Sequence, residues 1–433
     1  MLHQPIRRAA DALPSPATVW SATAAPAPAL PVLAGDLDTD VLVIGGGVAG
    51  LTAALHLAEA GVNTVLLEAG QVGDGATGWS GGLIAPDYIR HTPETIGRVV
   101  GRAKAEKLTR MVGRSGRGVF ELVARHAIDC EAKQDGFYAP AHNATLAETQ
   151  RRVANQWASR GYKVGFVEGE RIGQAFGAER YVGALHFAEG GSVNPLGYAR
   201  GLAAASQRLG AGVFVDSRVG NLVREGDRWV ARTERGTVSA RRLVLAANGG
   251  NAALHPALRR TALPLHVIQF ATAPLSRDER AAILPEGGAF TDKVPYLFTA
   301  RIDDHGHLIS AFATSYLVKG ARAHVREARR RVSQHFAALP DPRIDYLWEG
   351  VAWLNSSFLP EVYDLGDDAV AIQADNGRGI SLNTMIGGEV AAMLATNDRD
   401  ALSVPPRAPA PIRLHAGAAM LPKVLMSMAY LSN

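Results

Sequence analysis

The stretch TDVLVIGGGVAGLTAALHLAEAGVNTVLLE, residues 39–68, decides the fold. It opens with a short apolar strand over residues 41–44. Gly45, Gly47 and Gly50 then form G-x-G-x-x-G where this strand ends. Apolar residues at helical spacing follow, and a second short apolar strand closes the stretch. This order of strand, glycine turn, helix and strand predicts a βαβ unit that binds a dinucleotide; the alternative is a glycine-rich turn in another βα unit.

Each residue of the fingerprint has a chemical role. Gly45 allows a tight turn, Gly47 lets a pyrophosphate approach the backbone, and Gly50 lets the helix pack on the sheet. The free N–H groups of the helix N-terminus attract the phosphates. Glu68 ends the second strand, 18 residues after Gly50 (68 − 50), where a carboxylate can accept hydrogen bonds from a ribose. An acid there disfavours a 2′-phosphate, so NADP is not expected.

Composition places the chain among globular proteins. Its 433 residues are 47% hydrophobic and 20% charged, which suits about two to four domains. A net charge of +4 without a basic, aromatic-rich stripe gives no support for nucleic-acid binding. No apolar run approaches the roughly 20 residues of a membrane span, and the N-terminus lacks a secretory apolar region, so we expect a cytoplasmic protein. The single cysteine, Cys130, excludes an internal disulfide and a cysteine-based metal cluster, and no other metal site is predicted.

The rest of the chain leaves the nucleotide-binding unit and returns to it. A second glycine-rich loop follows over residues 70–82, and its proximity to the fingerprint predicts that it touches the cofactor. Residues 94–176 have mostly helical patterns, whereas 260–318 alternate as strands. A second strand–glycine–helix unit spans 369–394, and its helix N-terminus can face an electron-rich group.

Both ends carry apolar residues whose role the pattern leaves open. The alanine- and proline-rich start, 1–38, is predicted to be extended. Trp20 and Leu33 either pin this arm to the body or belong to a floppy tail. The apolar residues after position 411 have helical spacing, which is more typical of core packing or of an interface than of a membrane anchor.

Several motifs then occur in one characteristic order. They are W-x-A-T at 20–23, the glycine fingerprint, the loop GATGWSGG at 75–82, T-x-P-L at 272–275 and a glycine turn at 377–379. In this the chain resembles the D-amino-acid-oxidase-like family of FAD-dependent oxidoreductases, and within it the gamma-glutamylputrescine oxidase branch. The likeness covers nearly the whole chain, and the order of the motifs is more specific than any one of them.

The resemblance implies an α/β fold with two domains. One is a glutathione-reductase-type (Rossmann-like) FAD-binding domain, and the other is an inserted α+β substrate domain built on an antiparallel sheet. The implied divisions are an extended arm at 1–38, an FAD-binding domain at 39–95, 190–260 and 341–433, and a substrate domain at 96–189 and 261–340.

The resemblance also implies the chemistry. FAD would accept a hydride at N5 from the carbon next to an unprotonated amine of a small primary or secondary amine or amino acid. The imine would hydrolyse, and O2 would reoxidise the flavin and give H2O2. A dehydrogenase passing electrons to a quinone or protein acceptor, and a flavin-binding subunit with little catalysis, remain alternatives. Cys130 lies far from the segment that tethers flavin in sarcosine oxidases, so FAD is expected to be non-covalent, with a histidyl link left open.

Individual residues carry over from the family. Arg301 is expected on the sheet over the flavin, where its bidentate fork would hold a substrate carboxylate; the alternative is a satisfied strand arginine. Trp79, His266 and Tyr296 are the other candidate catalytic residues, although His266 and Tyr296 also suit structural roles. Where this chain has Trp79 and Ser80 the family usually has Arg-Asn, and Arg378 stands where His is common. The residues expected to bind FAD are Gly45, Gly47, Val48, Ala49, Gly50, Glu68, Ala69, Gly75, Ala76, Thr77, Gly78, Ser80, Gly81, Gly82, Leu83, Val219, Ala247, Asn248, Gly377, Arg378, Gly379, Ile380 and Ser381.

Overall fold

The computed structural model describes residues 13–15, 17–177, 180–292, 297–373 and 376–431. Its α-helices are α1 (Val19–Thr23), α2 (Val48–Glu59), α3 (Ile96–Val100), α4 (Arg102–His126), α5 (Ala144–Ala158), α6 (Glu170–Phe176), α7 (Pro195–Arg208), α8 (Asn251–Leu254), α9 (Arg277–Ala282), α10 (Ala321–His335), α11 (Gly379–Thr396) and α12 (His415–Leu431). Its strands are β1 (Gly35–Ile44), β2 (Thr64–Leu67), β3 (Leu83–Ile84), β4 (Phe137–Ala141), β5 (Val164–Glu168), β6 (Gly183–Phe187), β7 (Gly191–Ser192), β8 (Gly212–Phe214), β9 (Asn221–Glu225), β10 (Arg228–Arg232), β11 (Gly236–Leu245), β12 (Leu263–Pro274), β13 (Ala289–Asp292), β14 (Phe298–Ile302), β15 (His307–Ala313), β16 (Ile344–Leu354), β17 (Glu361–Gly366) and β18 (Ala369–Gln373).

The first sheet contains the fingerprint. Its order is β17-β18-β11-β1-β2-β8, and the strands from β18 to β8 run parallel. The last four residues of β1 and all of β2 are buried, as expected for a parallel sheet covered on both faces. The predicted strand–helix–strand unit at 39–68 is therefore present as β1, α2 and β2, with α2 beginning directly after the glycines.

The second sheet forms the inserted domain. Its order is β16-β12-β15-β14-β13-β4-β6-β5, and its neighbours are antiparallel except for β13 and β4. That one parallel pair joins the two insertions, because β4 belongs to the first and β13 to the second. The predicted fold class is confirmed. The second sheet is mixed rather than purely antiparallel, because β13 and β4 run parallel.

One predicted domain boundary needs correction. Strand β16 was expected in the FAD-binding domain, but its backbone pairs with β12 over almost its whole length. The chain therefore returns to the first sheet only at β17. Helix α4 was expected in the substrate domain, and its buried face belongs to an apolar core that includes residues of α2 and β1 as well as of β4 and β6. Such tertiary pairing is invisible in local periodicity.

The N-terminal arm is pinned where the structure describes it. Trp20 and Leu33 are both fully buried. Trp20 packs edge-on against Trp348 of β16, with 6.3 Å between ring centroids, and Leu33 joins the core beneath β11. None of the described helices is long and apolar enough to cross a bilayer.

Candidate active site

The fingerprint turn is so tight that side chains would not fit. Gly45 has a φ of +121°, and a Cβ there would lie 2.7 Å from the backbone of Ala246. A Cβ on Gly50 would lie 2.0 Å from the Gly45 carbonyl oxygen, so α2 and β1 meet without side chains between them. Gly47 is the N-cap of α2 and makes no side-chain cap hydrogen bond. The helix N-terminus therefore presents its N–H groups to an anion.

Glu68 lies at the carboxyl end of β2, facing the same turn. Its carboxylate accepts hydrogen bonds from the backbone N–H of Gly46 at 2.6 Å and of Gly70 at 2.9 Å. Ser217 donates its N–H to the Glu68 carbonyl at 2.8 Å, which brings the segment containing Val219 alongside. A carboxylate fixed at this edge is suited to a ribose.

The second glycine-rich loop is hydrogen-bonded to the fingerprint. The hydroxyl of Thr77 accepts a hydrogen bond from the first N–H of α2, that of Val48, at 3.2 Å. The N–H of Gly73 donates to the Gly46 carbonyl at 3.2 Å. Gly78 donates to the Gly73 carbonyl at 2.9 Å, which closes the loop on itself. The two glycine-rich stretches thus form one continuous backbone surface.

The same loop also contacts the substrate sheet. The Trp79 carbonyl accepts hydrogen bonds from the Trp348 indole at 3.1 Å and from the Gln269 amide. The Trp20 indole donates to the Ser80 carbonyl at 2.8 Å. A Cβ on Gly350 would lie 3.1 Å from the Trp79 carbonyl oxygen, so the sheet approaches closely here. The Trp79 side chain itself is 40% exposed and borders the junction between the domains.

Arg301 lies on this face of the sheet but is only 1% exposed. Its Nη1 donates to the carbonyls of Gly82, at 3.3 Å, and of Val193, and its guanidinium carbon lies 5.0 Å from the Trp20 ring centroid. Burial lowers the pKa of Arg301. Nε and Nη2 have no hydrogen-bond partner among the described residues. The observed contacts fasten the glycine loop, and two nitrogens, Nε and Nη2, remain for another acceptor.

The second strand–glycine–helix unit forms as expected at β18 and α11. Gly377 has a φ of +77°, and α11 begins after Arg378 without a side-chain cap. Arg378 is buried in an ion pair with Asp87, Nε to Oδ1 at 2.5 Å. A Cβ on Gly387 would lie 2.6 Å from the Ala49 carbonyl oxygen, so α11 packs directly on α2. The α11 N-terminus is thereby held in place by a salt bridge and a close helix contact.

Of the remaining candidate catalytic residues, the structure describes only His266, and it does not bring His266 to this junction. His266 lies three residues from Gln269, hence on the opposite face of β12, where its Nδ1 is 2.6 Å from a carboxylate oxygen of Glu349. Because a strand alternates its side chains, His266 faces away from the loop at 79–82, which does not support its expected place in the pocket. Tyr296 lies outside the described residues.

Residues that the sequence analysis did not select complete the site. The buried Asn251 amide accepts a hydrogen bond from the Ala247 N–H at 2.8 Å and donates to the Ile372 carbonyl at 3.1 Å. It thereby joins the carboxyl ends of β11 and β18 beside the predicted Asn248. Gln269 and Trp348 hold the glycine loop. The sequence analysis assigned no role to Trp348, and Asn251 and Gln269 gave no local signal.

The arrangement fits FAD. The N-terminus of α2, whose N-cap residue has no side chain, stands beside two glycine-rich stretches, where side chains would fill the groove, and a carboxylate ends the neighbouring strand. These are the donors that a pyrophosphate needs and the acceptor that a ribose needs. The described residues include no group of three or more His, Cys, Asp or Glu side chains that could hold a metal ion.

Comparisons with known proteins agree with this geometry. The family model described as DAO, FAD dependent oxidoreductase, matches residues 40–393. The chain is 29% identical to gamma-glutamylputrescine oxidoreductase of Escherichia coli (strain K12), covering 82% of this chain and 83% of that protein. It is 27% identical to the probable oxidoreductase OrdL of Rhizobium meliloti (strain 1021), covering 86% and 87%.

Solved structures share the fold. L-proline dehydrogenase from P. horikoshii matches with a TM-score of 0.72 at 17% identity, over 84% of this chain and 95% of that one. Glycine oxidase from Bacillus cereus matches with a TM-score of 0.68 at 18% identity, over 83% and 96%. The family match and the fitted groove lead to one conclusion: this chain belongs to the DAO family of FAD-dependent oxidoreductases, and its cofactor is FAD.

Proposed function

We propose that the protein oxidises the C–N bond of a small amine or amino acid and passes the electrons to O2, giving H2O2. The observation that carries this is the loop at 79–82, which belongs to the cofactor groove and is hydrogen-bonded to the substrate sheet. A substrate held on that sheet would lie against the cofactor. Support for the substrate class comes from the relatives, whose names specify a putrescine derivative and glycine.

Bound FAD would supply the two-electron acceptor for this oxidation. The residues that would hold it are the fingerprint glycines, Glu68 and the loop around Thr77. The N-terminus of α11 would place positive dipole charge where negative charge develops during reduction. The Arg378–Asp87 pair would keep that N-terminus in position.

The sheet face over the loop would form the substrate wall. Gln269 pairs with Ala311, and Val267 pairs with both Ala313 and Gly350, so these side chains share the face that meets the loop. Apart from Gln269, and Trp348 which pairs with it on the same face, they are small and apolar. The small apolar part of this wall would suit an uncharged amine with a short aliphatic chain.

The deciding experiment is an anaerobic titration of the purified holoprotein with a panel of amines. The panel runs from sarcosine and glycine through D-amino acids to acylated polyamines and aminophosphonates. Bleaching of the visible flavin band by one class, with H2O2 formed in proportion to product in air, is the expected result. A colourless protein that releases no FAD on denaturation, or a flavin that none of these amines reduces, would contradict the proposal.

Arg301 gives a separate prediction about the substrate. If its Nε and Nη2 groups hold a carboxylate, Arg301→Lys raises KM for amino acids roughly 10–100-fold, since a hydrogen bond to a charged group contributes about 1.5–3 kcal/mol. Amines without a carboxylate would keep their KM. The matched control is Arg242→Lys, because Arg242 also donates to a backbone carbonyl, that of Leu394. If Arg301→Lys changed KM equally for amino acids and for amines without a carboxylate, Arg301 would serve only to hold the glycine loop.

A second candidate is a dehydrogenase that passes electrons to a membrane quinone. The exposed apolar side chains of α12 favour it, because they would bring the protein to a membrane. An oxygen electrode separates the two. Rapid O2 uptake with the amine identifies the oxidase, whereas slow uptake that a soluble quinone analogue relieves identifies the dehydrogenase.

A further inference from the structure

Helix α12 is held to the protein by few groups and leaves a row of apolar side chains exposed to solvent. His415 lies 2.9 Å from the Ala262 carbonyl oxygen through Nε2, and the Ser427 hydroxyl accepts a hydrogen bond from the Tyr316 N–H at 2.9 Å. Met426 faces the protein beside Phe312 and Ala313. The exposed residues recur at helical spacing and are Met420 (56% exposed), Leu421 (52%), Val424 (39%), Leu425 (45%) and Leu431 (75%).

A neighbouring loop extends this surface. Tyr316 is 40% exposed and Leu317 is 48% exposed, and the hydrogen bond to Ser427 holds them beside α12. We call the exposed apolar side chains of α12, together with Tyr316 and Leu317, the C-terminal patch. A contiguous apolar surface of this kind marks an interaction site rather than chance exposure.

The charged side chains on the two segments that form the C-terminal patch and its flanks have one sign. The segments 313–326 and 401–433, which form it and its flanks, contain no Asp or Glu. Exposed cations on these segments are Lys319, Arg322, Arg326, Arg407 and Arg413; Arg407 is paired with Glu361. The patch therefore combines apolar side chains with a positive rim, and its complement is a surface that is apolar within and negative at its edge.

This charge pattern decides between the candidate occupants. In a two-fold dimer the C-terminal patch of one chain would meet the same patch of the other. Lys319 and Arg322 would then face like charges, and neither segment contains an acid that could pair with them. An anionic bilayer offers acyl chains to the apolar side chains and negative headgroups to the cations. We propose that the C-terminal patch docks the protein on an anionic lipid surface, with α12 lying in the plane of the interface.

The test is flotation of the FAD-loaded full chain with vesicles. Vesicles of phosphatidylcholine containing phosphatidylglycerol are expected to carry the protein upward, and pure phosphatidylcholine vesicles to carry much less. The double variant Leu421→Glu, Leu425→Glu is expected to lower partition roughly tenfold or more, because it removes buried apolar area and adds repulsion. Lys319→Glu with Arg322→Glu should abolish the preference for anionic vesicles.

The control is Leu209→Glu, which changes a leucine that is 44% exposed at the end of α7, outside the C-terminal patch. It should float like the unchanged protein. Bound FAD and the unfolding temperature of every variant check that the chain still folds, as exposed positions should allow. Absence of flotation with anionic vesicles, or equal flotation of the Leu421/Leu425 variant, would overturn the proposal. So would a vesicle-free dimer that this variant dissociates, since the occupant would then be a second copy.

Discussion

At the scale of single residues, the site depends on side chains that hydrogen-bond to the backbone rather than on a reactive side chain. Glu68 fixes two glycine N–H groups, and Arg301 fixes two carbonyls with one nitrogen. A flavoenzyme can be built this way because the cofactor carries the redox chemistry and the protein supplies position and electrostatics.

Glu68→Ala is expected to weaken FAD binding roughly 10–100-fold, since a hydrogen bond to a charged group contributes about 1.5–3 kcal/mol. The substitution removes the acceptor for the ribose and also frees the Gly46 N–H. Isothermal titration of the apoprotein with FAD measures the effect. Glu59→Ala, at the exposed end of α2, is the control and should leave the affinity unchanged. An unaltered affinity in Glu68→Ala would remove Glu68 from the cofactor site.

His335 predicts a pH dependence of folding. It is buried, stacked on Phe298 with 3.7 Å between ring centroids, and burial lowers its pKa from the ordinary 6.5. Below that value the unfolded chain binds the proton more readily than the folded one. The free energy of unfolding should therefore fall as the pH drops below 6.5, by up to about 1.4 kcal/mol per pH unit for this group.

His335→Phe should flatten this dependence, because phenylalanine keeps the stacking and cannot take a proton. Urea denaturation of both proteins between pH 5 and pH 7.5, a range set around the ordinary histidine pKa, measures it. If the free energy of unfolding changed with pH in the same way for both proteins, His335 would contribute nothing to the pH dependence.

At the scale of elements, the contact between α2 and α11 positions both helix N-termini. Gly387→Ala would place its Cβ 2.6 Å from the Ala49 carbonyl oxygen and 2.9 Å from Thr52. We expect a loss of stability of about 1–3 kcal/mol from overpacking, together with weaker FAD binding as α2 shifts.

Gly417→Ala is the matched control within another helix. Nothing lies within 4 Å of the added Cβ, so alanine should stabilise by about 0.5–1 kcal/mol through its higher helix propensity. Urea denaturation of both variants gives the comparison. A Gly387→Ala protein as stable as the parent would mean that the two helices can separate without cost.

At the scale of the whole molecule, bound FAD would connect the first sheet to the second, because the loop at 79–82 belongs to the cofactor groove and is hydrogen-bonded to the second sheet. Ligand that binds only the folded chain stabilises it by about 2.7 kcal/mol at a free concentration 100-fold above Kd. Stripping FAD should therefore lower the unfolding temperature, and adding it back should restore the temperature in a dose-dependent way. FMN is the control, because it lacks the adenosine that Glu68 would bind. Indifference to FAD, or an equal response to FMN, would contradict the groove described above.

The sequence by itself determined the nucleotide-binding unit. Gly45, Gly47, Gly50 and Glu68 act through turns and strand ends that are set by near neighbours, so their pattern could be interpreted without knowing the fold. The second glycine loop followed for the same reason. The order of motifs along the chain was enough to predict two domains and FAD.

Only the tertiary structure decided what surrounds that unit. The Trp20, Gln269 and Trp348 side chains meet the loop across 60, 190 and 269 residues of chain. Which side of β12 faces the cofactor depends on register, and a shift of one residue would have exchanged His266 with its neighbours. The exposed face of α12 depends likewise on what packs beneath it. Local patterns record which residues are apolar, whereas pairing between distant segments decides which of them become buried.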